Sequence, residues 1–182
     1  MKWLCEKLLL LFGWRFEGGL PDEPRMVVVG FPHTSNWDFF IFLAALRYFD
    51  MRVRFLAKAP LFRGPLGWLM RRWGGIPVET SAHHDLVATV VSAFEEHDEM
   101  ILVIAPEGTR ARTDVWKSGF WRIADAADVP VVMAFIDGGT KRVGLGPSRR
   151  IDGDPQRWMD GAADFYVDKR GLKPQNRGPV TL

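Results

Sequence analysis

The chain has 182 residues, 47% of them hydrophobic, which predicts one folded domain with a substantial core and excludes a disordered protein. Its formal net charge of +2 is too small to indicate a nucleic-acid-binding protein. Its single cysteine, Cys5, excludes an internal disulfide and favours a reducing compartment.

The N-terminal segment from Lys2 to Phe16 combines leucines and tryptophans with three cationic residues. Its apolar core is shorter than the roughly 20 residues that a membrane-spanning helix requires. No small-residue cleavage site follows it, so we do not expect a signal peptide. We predict an amphipathic helix in the membrane interface, with packing onto its own domain as the alternative. Residues 1–20 comprise this helix and the connection that follows it.

The apolar run from Met26 to Gly30 is predicted to be a buried β-strand, because β-branched residues pack well on a pleated surface. A helical pattern follows from Phe39 to Phe49. Ser35 or Asn36 is expected to cap that helix by accepting free backbone N–H groups.

His33 lies on the loop between this strand and this helix, and Asp38 lies in the first helical turn. Because His33 is outside the helix, the loop can fold back and bring its ring to the carboxylate. A carboxylate that binds one ring nitrogen fixes the tautomer and leaves the other nitrogen as a base. From this stretch alone, an ordinary polar pair remains the alternative.

The next elements are a strand from Arg52 to Ala57, a helix from Leu61 to Trp73 that is kinked or broken near Gly64, and a short strand from Ile76 to Glu79. The region from Met51 to Trp73 has six cationic and no acidic residues. This pattern favours an anionic partner such as a phosphate or a lipid surface, and a solvated helix face is the alternative. The cationic residues are Arg52, Arg54, Lys58, Arg63, Arg71 and Arg72.

A helix is predicted from Asp85 to His97, because apolar residues recur there at intervals of three and four. His83 and His84 precede it, but no further ligands stand at a suitable spacing, so we expect no metal site. A strand from Met100 to Ala105 then runs directly into the polar stretch Pro106–Arg110. Since sites in open α/β sheets form at the carboxyl ends of strands, this loop and the histidine-bearing loop are expected to form one site.

The remaining pattern predicts a helix ending at Ala127, a strand from Val129 to Ile136, an edge strand from Lys141 to Leu145 and a helix from Pro155 to Val167. Strands that alternate with helices predict an α/β fold. We expect a single-domain, mostly parallel central sheet flanked by helices over residues 21–170, and a loop-like tail over residues 171–182. No glycine-rich nucleotide-binding loop is present.

Four stretches of the sequence resemble the motifs of the glycerolipid acyltransferases, the family typified by 1-acylglycerol-3-phosphate acyltransferase. They span roughly residues 26–136 in the family's order and spacing. The stretches are His33-x4-Asp38, Lys58–Phe62 with Gly74–Val78, Pro106-Glu107-Gly108-Thr109-Arg110, and Val129–Val132.

This resemblance implies transfer of an acyl group from acyl-CoA or acyl carrier protein to the hydroxyl of a lysophospholipid-like acceptor. His33 would act as the general base and Asp38 would orient it. The hydroxyl attacks the thioester directly, so no enzyme nucleophile and no cofactor is expected. The implied partners are the acyl donor, a lysolipid and a membrane surface, and the expected location is the cytoplasm, at the inner face of a membrane.

The resemblance also implies the substrate-binding residues. Lys58 and Arg110 would bind an acceptor phosphate, and Glu107 would shape its loop or bind an acceptor hydroxyl. The backbone amides of Ile76 and Val78 would stabilise the oxyanion. The implied binding set is Lys58, Glu107, Gly108, Thr109 and Arg110.

The sequence departs from the family pattern at Thr80, where an arginine is common. The loss of one phosphate contact leaves an acceptor with another headgroup, or with no charge, as an alternative. A hydrolase that uses His33 to activate water and a non-catalytic lipid-binding protein are the alternatives from other functional classes.

Overall fold

The computed structural model describes residues 7, 9–78 and 83–182. Within them, seven strands form one sheet in the order β1-β7-β6-β2-β5-β3-β4. Five of the described strands run parallel, whereas β7 is antiparallel to β6, and β1 pairs in parallel with β7. The strands are β1 Arg15–Glu17, β2 Arg25–Gly30, β3 Val53–Lys58, β4 Gly75–Val78, β5 Met100–Ile104, β6 Val131–Asp137 and β7 Arg142–Arg149.

The described residues also form five complete α-helices and two short 3₁₀ helices. The 3₁₀ helix Ala59–Phe62 is separated from the following α-helix at Gly64, so the predicted break is confirmed. The α-helices are α1 Asp38–Tyr48, α2 Gly64–Arg72, α3 His83–Glu96, α4 Gly119–Ala126 and α5 Pro155–Tyr166, and the second 3₁₀ helix is Pro174–Asn176.

Strand β2 occupies the centre of the sheet, and its side chains alternate between two hydrophobic layers. Val27 and Val29 belong to the core that α3, α4 and α5 cover. Met26 and Val28 face the opposite layer, against which the end of α1 packs through Phe49. Because both faces are covered, β2 has a continuous apolar sequence, as is typical of buried parallel strands. The predicted mostly parallel α/β fold is confirmed.

The N-terminal part of the chain differs from its prediction. Arg15 and Phe16, assigned to an amphipathic helix, belong to β1 and pair with β7. This pairing also makes the prediction of an edge strand at Lys141–Leu145 wrong, because β7 is covered by β1 on its outer side. Residues 1–6 and 8 lie outside the described residues. No helix in the described part is long and apolar enough to cross a membrane.

Several side chains of the N-terminal segment contact the rest of the domain directly, among them Leu9, Trp14 and Phe16. Trp14 is buried in a cluster with residues of α1 and β7, and Leu9 packs against the same cluster. Leu10, Leu11 and Phe12 remain exposed. This part of the segment therefore both packs on the domain and presents an apolar surface to its surroundings.

Candidate active site

Two loops meet at one edge of the sheet because the strands that precede them are neighbours. Strand β2 pairs in parallel with β5, in a register that aligns Val29 with Ile104. The histidine loop (residues 31–37) follows β2, and the glutamate loop (residues 105–110) follows β5. Since parallel strands end at the same edge, the two sequence motifs are adjacent in the fold.

His33 and Asp38 form a close pair in the histidine loop and the first turn of α1. His33 Nδ1 lies 3.2 Å from Asp38 Oδ2, and the histidine side chain is 30% exposed whereas the aspartate side chain is 3% exposed. In the neutral ring, the Nδ1–H group can donate a hydrogen bond to this carboxylate. Nε2 then carries no proton and can act as a base. The histidine ring is partly exposed, and the buried carboxylate fixes its orientation.

The Asp38 carboxylate also organises the backbone of the histidine loop. Oδ2 accepts hydrogen bonds from the Thr34 N–H at 2.7 Å and the Ser35 N–H at 2.8 Å. The predicted cap of α1 by Ser35 or Asn36 is wrong, because Trp37 is the N-cap residue and no side chain caps it. The Ser35 hydroxyl instead accepts from the Trp37 N–H within the loop. Asp38 therefore satisfies loop donors and orients the ring at the same time.

Glu107 binds the backbone of His33 rather than its ring. Glu107 Oε2 accepts a hydrogen bond from the His33 N–H at 2.7 Å, and the residue is only 2% exposed. Its other oxygen, Oε1, has no hydrogen-bond partner in the described part of the chain. Burial raises the pKa of Glu107 from 4.5 to about 7, against the opposing effect of the His33 N–H bond. The contact joins the glutamate loop to the histidine loop.

A large apolar cavity opens beside His33. Its volume is about 1590 Å³, which exceeds the roughly 300–1,000 Å³ of common ligand pockets. One part of its wall is the inner face of α1 and another is the sheet. Lining residues from these two walls include Val28, Phe42, Leu46, Phe49, Val103 and Leu145.

Cationic side chains line the same cavity on the glutamate-loop side. Arg110 and Lys117 are both exposed lining residues. Gly108 has a φ of +63°, and a Cβ at this position would lie 2.8 Å from Lys117 Nζ. Glycine therefore permits both the left-handed turn and the close approach of the ammonium group. Arg122 of α4 is a third exposed cationic residue in the lining, so His33 and three described cations border one apolar cavity.

The sequence model of the family described as Acyltransferase matches residues 15–136. The chain belongs to the acyltransferase family. The fold is similar to the crystal structure of the 1-acyl-sn-glycerophosphate (LPA) acyltransferase PlsC from Thermotoga maritima, with a TM-score of 0.64 and 17% sequence identity over 92% of this chain and 76% of that one. No curated protein matches the sequence.

Several predicted site residues of this acyltransferase lie away from His33 or outside the described residues. Ile76 and Val78 belong to β4, which is three strands from β2, or about 14 Å at the usual strand spacing. Ile76 is not among the described lining residues, and the side chain of Val78 is not described, so their oxyanion role stays a prediction. Lys58 ends β3, but its side chain is not described, and Thr80 lies outside the described residues.

Three other predicted binding residues line the cavity, and their binding role stays a prediction. Gly108, Thr109 and Arg110 line the cavity, whereas Glu107 is not among its described lining residues. Among the described residues, no three His, Cys, Asp or Glu side chains are grouped so that they could bind a metal ion.

Sequence reasoning did not find two further contributions to the site. Lys117 follows the glutamate loop and is an isolated basic residue whose approach to Gly108 becomes visible only in the fold. Asn176 belongs to the tail, yet it donates hydrogen bonds to the backbones of Thr34 and Arg110. Its loop-forming sequence context gives no local signal for such a contact.

We predict that Glu107→Gln changes the pH dependence of stability. The glutamine oxygen can still accept the His33 N–H bond, but the side chain cannot ionise. Because the folded-state pKa of about 7 lies above the ordinary 4.5, wild-type stability falls as pH rises through this interval. The variant should therefore gain stability relative to wild type from roughly pH 5 to pH 8, by at most about 3 kcal/mol.

Urea unfolding of both proteins across this pH range measures the difference. Parallel stability curves would show that Glu107 ionises as readily in the folded protein as in the unfolded chain.

Proposed function

We propose that this acyltransferase transfers a fatty acyl group from an acyl thioester to a hydroxyl of a lysophospholipid-like acceptor. The observation that carries this proposal is the His33–Asp38 pair at the opening of the large apolar cavity. The base can deprotonate a hydroxyl, and the cavity can hold the hydrocarbon chain of a substrate beside it.

The proposed reaction needs no enzyme nucleophile. His33 Nε2 accepts the proton of the acceptor hydroxyl as its oxygen attacks the thioester carbonyl carbon. The tetrahedral intermediate then collapses, the carbon–sulfur bond breaks, and the proton passes from His33 to the departing thiolate. Asp38 stabilises the imidazolium that forms between these two steps. The donor, acyl-CoA or acyl carrier protein, is a substrate, and no cofactor is required.

The cations beside the cavity support an acceptor that carries a phosphate. Arg110 can bind a phosphate through its planar fork, and Lys117 can add a point charge. The family resemblance assigns the same role to Lys58. The similarly folded Thermotoga maritima protein is described as an LPA acyltransferase. Because Thr80 stands where the family commonly has an arginine, an uncharged acceptor is the alternative. The Arg110 experiment below distinguishes a phosphate-bearing acceptor from an uncharged one.

We predict that His33→Ala lowers kcat by about 10²–10⁴-fold, the usual contribution of a positioned general base. Asp38→Asn should also be severely impaired, because a neutral amide no longer stabilises the imidazolium. The measurement incubates labelled acyl-CoA with a panel of lysolipids and separates acylated lipid from free fatty acid.

His97→Ala is the matched control, since His97 lies at the end of α3, bonded to Ala93 and Arg54 away from the cavity. More than one-tenth of wild-type transfer by folded His33→Ala would refute the base role. Release of free acid without any acceptor would instead identify a hydrolase.

We predict that Arg110→Ala raises the KM for a phosphate-bearing acceptor by about one to two decades, because a hydrogen bond to a charged group contributes roughly 1.5–3 kcal/mol. The KM for the acyl donor should change much less. Arg110→Lys, which keeps the charge but loses the fork, should be intermediate. Kinetics with phosphorylated and uncharged acceptors provide the comparison. An equal loss with both acceptors would make Arg110 structural and favour an acceptor without phosphate.

We also propose that the acyltransferase is a peripheral membrane protein. Phe40, Leu61 and Leu66 line the cavity and are at the same time exposed. The helix α2 adds Trp68, which is 67% exposed, and ends with two arginines. An apolar rim with adjacent cations matches the chemistry of an anionic lipid surface, from which a lipid substrate could enter the cavity.

The double variant Leu66→Ser/Trp68→Ser should sediment severalfold less with anionic phospholipid vesicles, because it removes apolar side chains that can insert into lipid. High salt should further weaken the binding of both proteins. Val167→Ser is the control, since Val167 is equally apolar and 76% exposed but follows α5. Unchanged sedimentation of the double variant would refute a membrane role for α2.

A further inference from the structure

The C-terminal segment (residues 173–182) contacts both loops of the site. The Lys173 N–H donates to the Thr34 hydroxyl at 3.1 Å. Further along, the Trp116 N–H donates to the Thr181 carbonyl at 2.7 Å, just beyond the glutamate loop. The proposed chemistry assigns no role to this segment, although it lies against the residues next to the base.

Asn176 makes the connection between the two loops. Its side-chain amide nitrogen donates to the Thr34 carbonyl at 3.3 Å and to the Arg110 carbonyl at 3.0 Å. Thr34 directly follows the base, and Arg110 carries the proposed phosphate contact. A primary amide has two N–H groups, so each loop can receive one of them. One side chain therefore bridges the base and the anion-binding loop.

Arg177 anchors this bridge to the rest of the fold. Its guanidinium donates to the Lys169 carbonyl at 2.7 Å and to the Tyr166 carbonyl at 2.9 Å, at and beyond the end of α5. It also lies over the ring of Phe31, 5.3 Å from the ring centroid, at the start of the histidine loop. The Arg177 carbonyl accepts from Arg112 at 2.7 Å. Through Arg177, the segment that carries Asn176 is therefore attached to the end of α5.

Thr34 is held from two directions as a result. Its N–H is bound by Asp38, whereas its hydroxyl and carbonyl are bound by Lys173 and Asn176. The peptide that follows His33 is therefore positioned jointly by α1 and by the C-terminal segment. Loss of the Asn176 bonds would release one of these restraints and leave the His33–Asp38 pair intact.

We propose that Asn176 is a positioning residue that sets the separation between His33 and Arg110, and hence between the base and the anionic group of the acceptor. This inference rests on the proposed function. An acceptor that contacts both loops senses their separation, whereas an acyl chain in the cavity does not. Since a misplacement of about 1 Å can cost 10²-fold in rate, a loosened bridge should impair use of the acceptor selectively.

The experiment compares Asn176→Ala and Asn176→Asp with Gln175→Ala. The aspartate has the size of asparagine, but it accepts where the amide donates and repels both carbonyl oxygens. Gln175 is the matched control, because it is an exposed amide in the same 3₁₀ helix. Both Asn176 variants should raise the acceptor KM by about tenfold or more. The donor KM of these variants and both KM values of the control should stay near wild type.

Hydrogen exchange provides a second measurement that does not depend on the reaction. Backbone amides of residues 33–36 and 108–111 should exchange faster in Asn176→Ala, while those of α5 keep their protection. Wild-type exchange and a wild-type acceptor KM in both Asn176 variants would overturn the proposal. Faster exchange throughout the domain, with donor and acceptor KM affected equally, would also overturn it, since Asn176 would then only stabilise the fold.

The same measurements separate this inference from the proposed function. If wild-type protein transfers no acyl group to any lysolipid while Asn176→Ala loosens the two loops alone, the bridge is supported and the assigned reaction is refuted. If transfer is observed and the loops do not respond, the reaction stands and the bridge is refuted.

Discussion

The parallel pairing of β2 with β5 is the constraint on which the rest of the site depends. It places the loops after both strands at one edge of the sheet, although their motifs are far apart in sequence. The hydrogen bond from the His33 N–H to Glu107 then joins these loops directly. Strand pairing alone would bring the loops near each other, and this buried bond adds a direct contact between the His33 backbone and the glutamate loop. The position of His33 therefore depends in part on a carboxyl group that is not among the described residues lining the cavity.

Asp38 and Glu107 bind the same histidine in different ways because their environments differ. Asp38 accepts N–H bonds from two loop residues and faces the imidazole. Glu107 accepts one backbone N–H bond and is otherwise buried, which raises its pKa to about 7. The first carboxylate has the donors that stabilise a negative charge beside the ring, as the proposed imidazolium would require. The second positions the peptide, a role in which it can function with or without its charge because a protonated carboxyl still has an acceptor oxygen.

The sequence predicted the elements that local patterns determine. Strands β2 and β5 are apolar runs that each end at a polar loop, so their positions can be read from the sequence. In a parallel α/β sheet these loops lie at the same edge, and the proximity of His33 to the glutamate loop therefore followed from the fold class. Strand β1 was not predicted, because its three residues form a strand only by pairing with β7, more than a hundred residues later. The same long-range pairing made the edge assignment of β7 wrong. Contacts of this kind leave no periodic pattern in the sequence.

The C-terminal segment shows why loop-forming sequences limit such predictions most. Its two prolines, its glycine and its polar side chains indicate only the absence of regular structure. In the fold, however, Asn176 binds backbone carbonyls of both site loops, and Arg177 binds the end of α5. Backbone carbonyls are present at every residue, so no complementary residue type identifies the partner of an asparagine in advance. The loops that bear His33 and Arg110 are therefore joined by contacts that the motifs themselves do not contain.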